Sequence, residues 1–204
     1  MKKFLQMCCG LLLLIPLVSC ESNPQQLTAL RPNDVILAFG DSLTLGVGTE
    51  ARLSYPAQLD RLLGRRVINA GVSGEISAEA VRRLPALLDK YEPELLILCH
   101  GGNDIVRKLD QKELQDNLRR MVEVAKQRDI DVVMIAVPQP NLLISDASLY
   151  AELAEEMQIP LLEKALGELL SDSQYKSDAL HLNAQGYRKF AEAVADLLAQ
   201  NGAL

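Results

Sequence analysis

Residues 35–48 read VILAFGDSLTLGVG. Five apolar residues, Val35 to Phe39, stop at Gly40; Asp41 and Ser42 come at once, and Gly46 and Gly48 soon after. A short, continuous apolar run bounded by glycine reads as a buried strand. The segment behind it could be a phosphate-binding glycine loop, a reactive serine, or an ordinary strand end with a capped helix. The rest of the chain discriminates between these readings.

Further strands are expected at Val67–Ala70, Leu95–Cys99 and Val132–Val137, with a weak fifth at Ile159–Leu161. Helical spacing predicts helices at Tyr55–Leu63, Ala78–Lys90, Gln111–Arg128 and Ser148–Met157. A last helix runs from Ala184 to Ala199, with Asn183 as its N-cap and Phe190, Val194, Leu197 and Leu198 at core spacing. Strands that are apolar at successive positions and alternate with helices imply a parallel sheet covered on both faces. The expectation is a three-layer α/β/α, flavodoxin-like doubly wound fold with about five parallel strands. Such sheets bind ligands beyond the carboxyl ends of their strands, so loops 40–54, 71–77, 100–110 and 138–147 should line one rim.

The domain is expected to span 34–204. Ahead of it, Lys2 and Lys3 precede an apolar stretch, Leu11 to Val18, and a small residue, Ser19, before Cys20. That is the layout of a secretory signal over residues 1–19, and it is too short for a membrane-spanning helix, which needs about 20 apolar residues. Leu17 to Cys20, LVSC, resembles a bacterial lipobox, which implies that Cys20 is lipidated and that residues 20–33 form an anchor and tether. Glu21 is not the Asp that resembles an inner-membrane retention signal. The implied location is an exported, periplasm-facing, membrane-anchored lipoprotein, on the outer membrane if the cell is Gram-negative. Of the four cysteines, Cys8 and Cys9 would leave with the signal, and Cys99, inside an apolar run, reads as an inert buried thiol. The formal charge is −6. With no basic stripe and few aromatic residues for stacking, a nucleic-acid partner is disfavoured.

Three of the rim loops open with polar chemistry: Gly40-Asp41-Ser42-Leu43, then NAGVSGE at 69–75, then HGGND at 100–104. Near the C-terminus stands DALH, Asp178 to His181. A serine hydroxyl is a poor nucleophile until a base takes its proton. Of the two histidines, His181 has an acid three residues earlier, a spacing that lets Asp178 reach one ring nitrogen while the other faces Ser42. This is the nucleophile, base and orienter of a Ser-His-Asp triad.

The four blocks, in this order, resemble the SGNH or GDSL hydrolase superfamily, and most closely its bacterial thioesterase, lysophospholipase and arylesterase branch. GDSLTLGVG with YPAQL behind it at 55–59 is typical of that branch. The resemblance implies catalytic Ser42, Asp178 and His181, and an oxyanion hole made by the N–H groups of Ser42 and Gly74 and the side-chain amide of Asn103. It also implies a small acyl ester or thioester substrate, no cofactor and no metal. Asp41 and Asp104 are expected to hold loops by accepting backbone N–H bonds. His100 departs from the usual apolar residue before the two glycines and is expected to be a structural or rim histidine, with substrate contact as the alternative. Leu142, Leu143 and Ile144 are expected to line the acyl site, against the alternative that they pack beneath their loop.

Rival readings are weaker. Gly46 to Ala51 fits G-x-G-x-x-A, but a dinucleotide fingerprint needs its first glycine at the strand end, and this strand ends at Gly40; Gly46 and Gly48 are instead expected to be flexible loop residues near the substrate entrance. Bound FMN on the same fold is a further alternative. The two histidines are far apart and no HExxH is present, which disfavours a metal hydrolase. A carbohydrate O-acetylesterase would use the same five residues, and a non-catalytic binding lipoprotein is the alternative from outside enzymology.

Overall fold

The structure, a computed structural model, describes residues 26–138 and 147–204. The expected signal segment, Cys20, and Leu142, Leu143 and Ile144 lie outside the described residues. Five strands form one parallel sheet: β1 (Ile36–Gly40), β2 (Val67–Gly71), β3 (Leu95–Cys99), β4 (Asp131–Ile135) and β5 (Leu161–Leu162). Their spatial order is β2-β1-β3-β4-β5. Every residue of β1 and β3 is buried, which is why those two strands are apolar at successive positions rather than at alternate ones. β2, at one edge, is half-buried.

From β1 the chain steps outward to β2, then crosses back to β3 on the other side. Because such crossovers are right-handed, the crossover helices before and after the reversal cover opposite faces, and the last helix, which follows β5 and makes no crossover, joins the first. α2 (Tyr55–Leu63) and α8 (Ala184–Gln200) pack on each other across one face; α3 (Ser77–Tyr91), α5 (Gln111–Lys126) and α6 (Ala147–Met157) pack side by side on the other. The Tyr55 and Phe190 rings meet edge-to-face at 4.7 Å. On α3, Ala80, Leu84 and Leu88 recur every four residues and are all buried, the stripe that holds a surface helix to its sheet. The strand order reverses between β1 and β3, where a doubly wound sheet opens its crevice.

Several boundaries differ from expectation, each for a local reason. β4 ends at Ile135 rather than Val137, because its outer neighbour β5 pairs only with Met134 and Ile135; β5 itself lies at Leu161–Leu162 instead of Ile159–Leu161. α5 stops at Lys126, short of Arg128, as the chain turns through Asp129 in a left-handed conformation. Three short helices were not expected: α1 (Ser42–Leu45), α4 (Gly102–Val106) and α7 (Ala165–Ser171). All are too short to show a period in sequence.

The fold also begins before residue 34. Leu27 and Leu30 are in the core, and their N–H groups donate to the carbonyls of Asn201 and Ala203 at 2.8 and 2.9 Å. The Thr28 N–H donates to the Asp131 carboxylate at the start of β4. Residues 26–30 are thus part of the domain, attached at the amino ends of the strands, and are not a loose tether.

Candidate active site

The crevice between β1 and β3 is built from strand ends. Asp41, directly after β1, caps α1: its carboxylate accepts the Leu43 N–H at 3.1 Å. This turn puts Ser42 at the first position of α1, with its side chain free to face the rim. Asp41 is buried, and burial pushes its carboxyl up from the ordinary value despite the partly offsetting His100 and Leu43 N–H. The Leu43 N–H it accepts makes it a structural cap, as expected.

His181 arrives from the loop before α8. Asn183 caps that helix, accepting the N–H groups of Gln185 and Gly186 at 3.0 and 2.9 Å, and so fixes where the loop ends. His181 Nε2 lies 3.0 Å from Ser42 Oγ. Its Nδ1 lies 2.9 and 3.0 Å from the two carboxylate oxygens of Asp178. Asp178 Oδ1 also accepts the backbone N–H groups of Leu180 and His181 at 2.8 and 2.9 Å. Partial burial would raise the Asp178 carboxyl; the Leu180 N–H and the imidazole outweigh it and hold it below the usual carboxylate range. An ionised Asp178 keeps the proton on Nδ1 and leaves Nε2 as an acceptor for the serine hydroxyl.

The donors stand opposite. Ser42, Gly74, Asn103 and His181 line one cavity of about 250 Å³. Gly74 has φ +79°, a conformation that side-chain-bearing residues adopt only under strain, and the Arg107 guanidinium holds its carbonyl at 2.8 Å. Among the described residues neither the Ser42 nor the Gly74 N–H has an acceptor. Asn103 Nδ2 spends one hydrogen on the Glu75 carbonyl at 3.0 Å; its other contact, to Asp41, is long at 3.4 Å. One amide hydrogen is therefore only weakly held.

A buried charged brace ties the second and third loops together. Glu75 takes two bonds from Arg83, at 2.6 and 2.7 Å, and faces His100 Nε2 at 3.2 Å. The Gly101 N–H donates to His100 Nδ1 at 2.8 Å, which leaves the ring proton on Nε2 to donate to Glu75. Burial would raise the Glu75 carboxyl, but Arg83 and His100 outweigh it and hold it at about 2. Arg83 also stacks over the Phe39 ring at 4.3 Å. His100 is thus structural, as expected. Asp104 is too: it accepts the Ser77 N–H at 2.9 Å and the Ser77 hydroxyl at 2.6 Å. Cys99 is fully buried, and burial pushes its thiol well up.

Two expectations change. Gly46 and Gly48 are not flexible residues near the substrate. Both have φ +95°; Gly46 ends α1, and a Cβ on Gly48 would fall 2.2 Å from Ser177 Oγ. Gly48 lets the first loop press against the loop that carries His181, and Gly46 lets it fold back on Ser54, 2.5 Å from where a Cβ would sit. Sequence reasoning also missed the cavity wall supplied by α7, where Gly167, Leu170 and Ser171 face the site with Val137 and Pro138. Their spacing of three and four is a helical face, but one too short to be distinguished beforehand.

A family model for GDSL-like lipases/acylhydrolases matches residues 38–189, which hold every block that carries the site and all of the sheet but the first two residues of β1. The chain belongs to the GDSL-like lipase/acylhydrolase family. It is 30% identical to an arylesterase of Vibrio mimicus over 184 residues, covering 85% of this chain and 92% of that protein. It is 28% identical to thioesterase 1/protease 1/lysophospholipase L1 of Escherichia coli K12, covering 81% and 83%. Among solved structures, that of TesA superposes with a TM-score of 0.77 at 26% identity, covering 82% of this chain and 99% of TesA. The chain is an SGNH esterase-type hydrolase.

Proposed function

We propose that this hydrolase cleaves carboxylic esters or thioesters of small acyl substrates through an acyl-Ser42 intermediate. The observation that carries the reading is the 3.0 Å approach of His181 Nε2 to Ser42 Oγ, with Asp178 on the other ring nitrogen. His181 takes the hydroxyl proton as Ser42 attacks the acyl carbonyl. Asp178 stabilises the imidazolium without taking the proton. The oxyanion is met by the N–H groups of Ser42 and Gly74 and by the weakly held Asn103 hydrogen; losing one such donor costs about 10²–10³ in rate. His181 then protonates the departing alcohol or thiol. Water, deprotonated by the same imidazole, attacks the acyl-serine and releases the acid. In the S42A variant, hydrolysis of p-nitrophenyl esters should fall to background and labelling by a reactive phosphonate should vanish. Unchanged turnover would overturn the assignment.

The anchor is proposed with it. We infer from LVSC at 17–20 that Cys20 is lipidated after export, placing the domain on the periplasmic side of a membrane. Residue 26 joins the domain near Asn201 and Asp131, at the amino ends of the strands. An anchor there would turn the Ser42 rim away from the bilayer. Labelled palmitate should enter the wild-type chain and not the C20A variant; equal incorporation would refute the anchor.

A further inference from the structure

Of the eleven described glycines, ten have a backbone or packing reason to be glycine. Six have positive φ, and at four others an added Cβ would lie 3.0 Å or less from a neighbour. Among the described residues Gly167 has neither reason. It sits inside α7, and an added Cβ would find Pro138 Cβ at 3.8 Å as its nearest described neighbour, an ordinary contact. Alanine would fit there and would favour the helix, since glycine in a helix interior is destabilising. What Gly167 does do is line the cavity that holds Ser42, on the same helical face as Leu170 and Ser171.

We propose that Gly167 is a specificity-determining residue: it keeps the apolar end of the cleft open and so sets the longest acyl chain the enzyme accepts. The inference rests on the proposed ester-hydrolase activity. The chain concerned is the acyl chain, because that part stays bonded to Ser42 through the second step and is held by walls. The alcohol must leave before water attacks and needs an open path. The walls beside Gly167 are mainly apolar, Val137, Pro138 and Leu170, with Ser171 on the same helical face. A side chain at 167 would extend toward Pro138 and fill the space the chain would take.

The test measures kcat/KM for p-nitrophenyl esters from acetate to decanoate, and for acetates of methanol through octanol. In G167L the decanoate-to-acetate ratio should fall at least tenfold. G167A should give a smaller fall together with a Tm raised by about 1–4 °C. L170A, which widens the same wall, should raise the ratio and supplies a second reading if G167L fails to fold. An unchanged acyl-chain profile in the alanine and leucine variants overturns the proposal, as does a shift confined to the alcohol series. If the wild type hydrolyses the series in a Ser42-dependent way while the 167 variants share its profile, only this inference falls. If the wild type hydrolyses no ester at all, the hydrolase reading falls and this one with it.

Discussion

The Glu75 brace offers a prediction whose size comes from the structure. Glu75 is buried, held by Arg83 and His100, and its carboxyl sits at about 2 against an ordinary 4.5. The folded chain therefore binds this proton less readily than the unfolded one. The resulting stability is fully present above the unfolded value and is lost as pH falls from about 4.5 toward 2. At roughly 1.4 kcal/mol for each pH unit, the difference amounts to about 3 kcal/mol. E75Q keeps the shape and removes the charge. With a urea slope of about 2 kcal/mol/M, its unfolding midpoint should drop by about 1–2 M at pH 7. At pH 3 the gap between wild type and variant should shrink to roughly half or less, because wild-type Glu75 is then giving up its advantage. Urea titrations of both proteins at the two pH values decide the matter. A midpoint difference below about 0.3 M at pH 7, or a gap that does not narrow at pH 3, would refute the brace as the source of that energy.

The same geometry sets other outcomes. N103A should lower kcat by about 10²–10³ with little change in KM, since its donor acts on the oxyanion and not on the resting ester; a change confined to KM would count against that role. D178N should fold normally, Asp178 being half exposed, yet lose on the order of 10³–10⁴ in kcat because the imidazole tautomer is no longer fixed. L30A should cost about 2–3 kcal/mol in urea unfolding, as expected for a buried leucine; a tether residue would cost nothing. H100L should lower stability by about 1–3 kcal/mol by leaving the buried Gly101 N–H without an acceptor, and H100N, which can still accept that bond, should recover part of it.

The sequence by itself determined the sheet, because a parallel strand buried on both faces must be apolar at successive positions, and β1 and β3 could be read off directly as VILAF and LLILC. It also pointed to Ser42, His181 and Asp178 as the candidate nucleophile, base and orienter. Ser42 stands just past a strand that glycine terminates, and Asp178 and His181 lie close enough along the chain that their pairing is local. Those signals are short-range, so they survive without the fold. Only the tertiary structure decided what depends on contact between distant segments. Whether residues 26–30 were tether or core rested on Asn201 and Ala203, about 170 residues away. Whether Glu75 was a surface acid or a buried brace rested on His100 from another strand end. Gly46 and Gly48, which in sequence suggest a cofactor cradle, are glycines because both have positive φ and are closely packed, Gly46 by Ser54 and Gly48 by the Ser177 loop. The substrate cleft was the least legible part. Its α7 wall comes from a helix of seven residues, too short to write a period into the sequence, and an open space leaves no residue pattern at all.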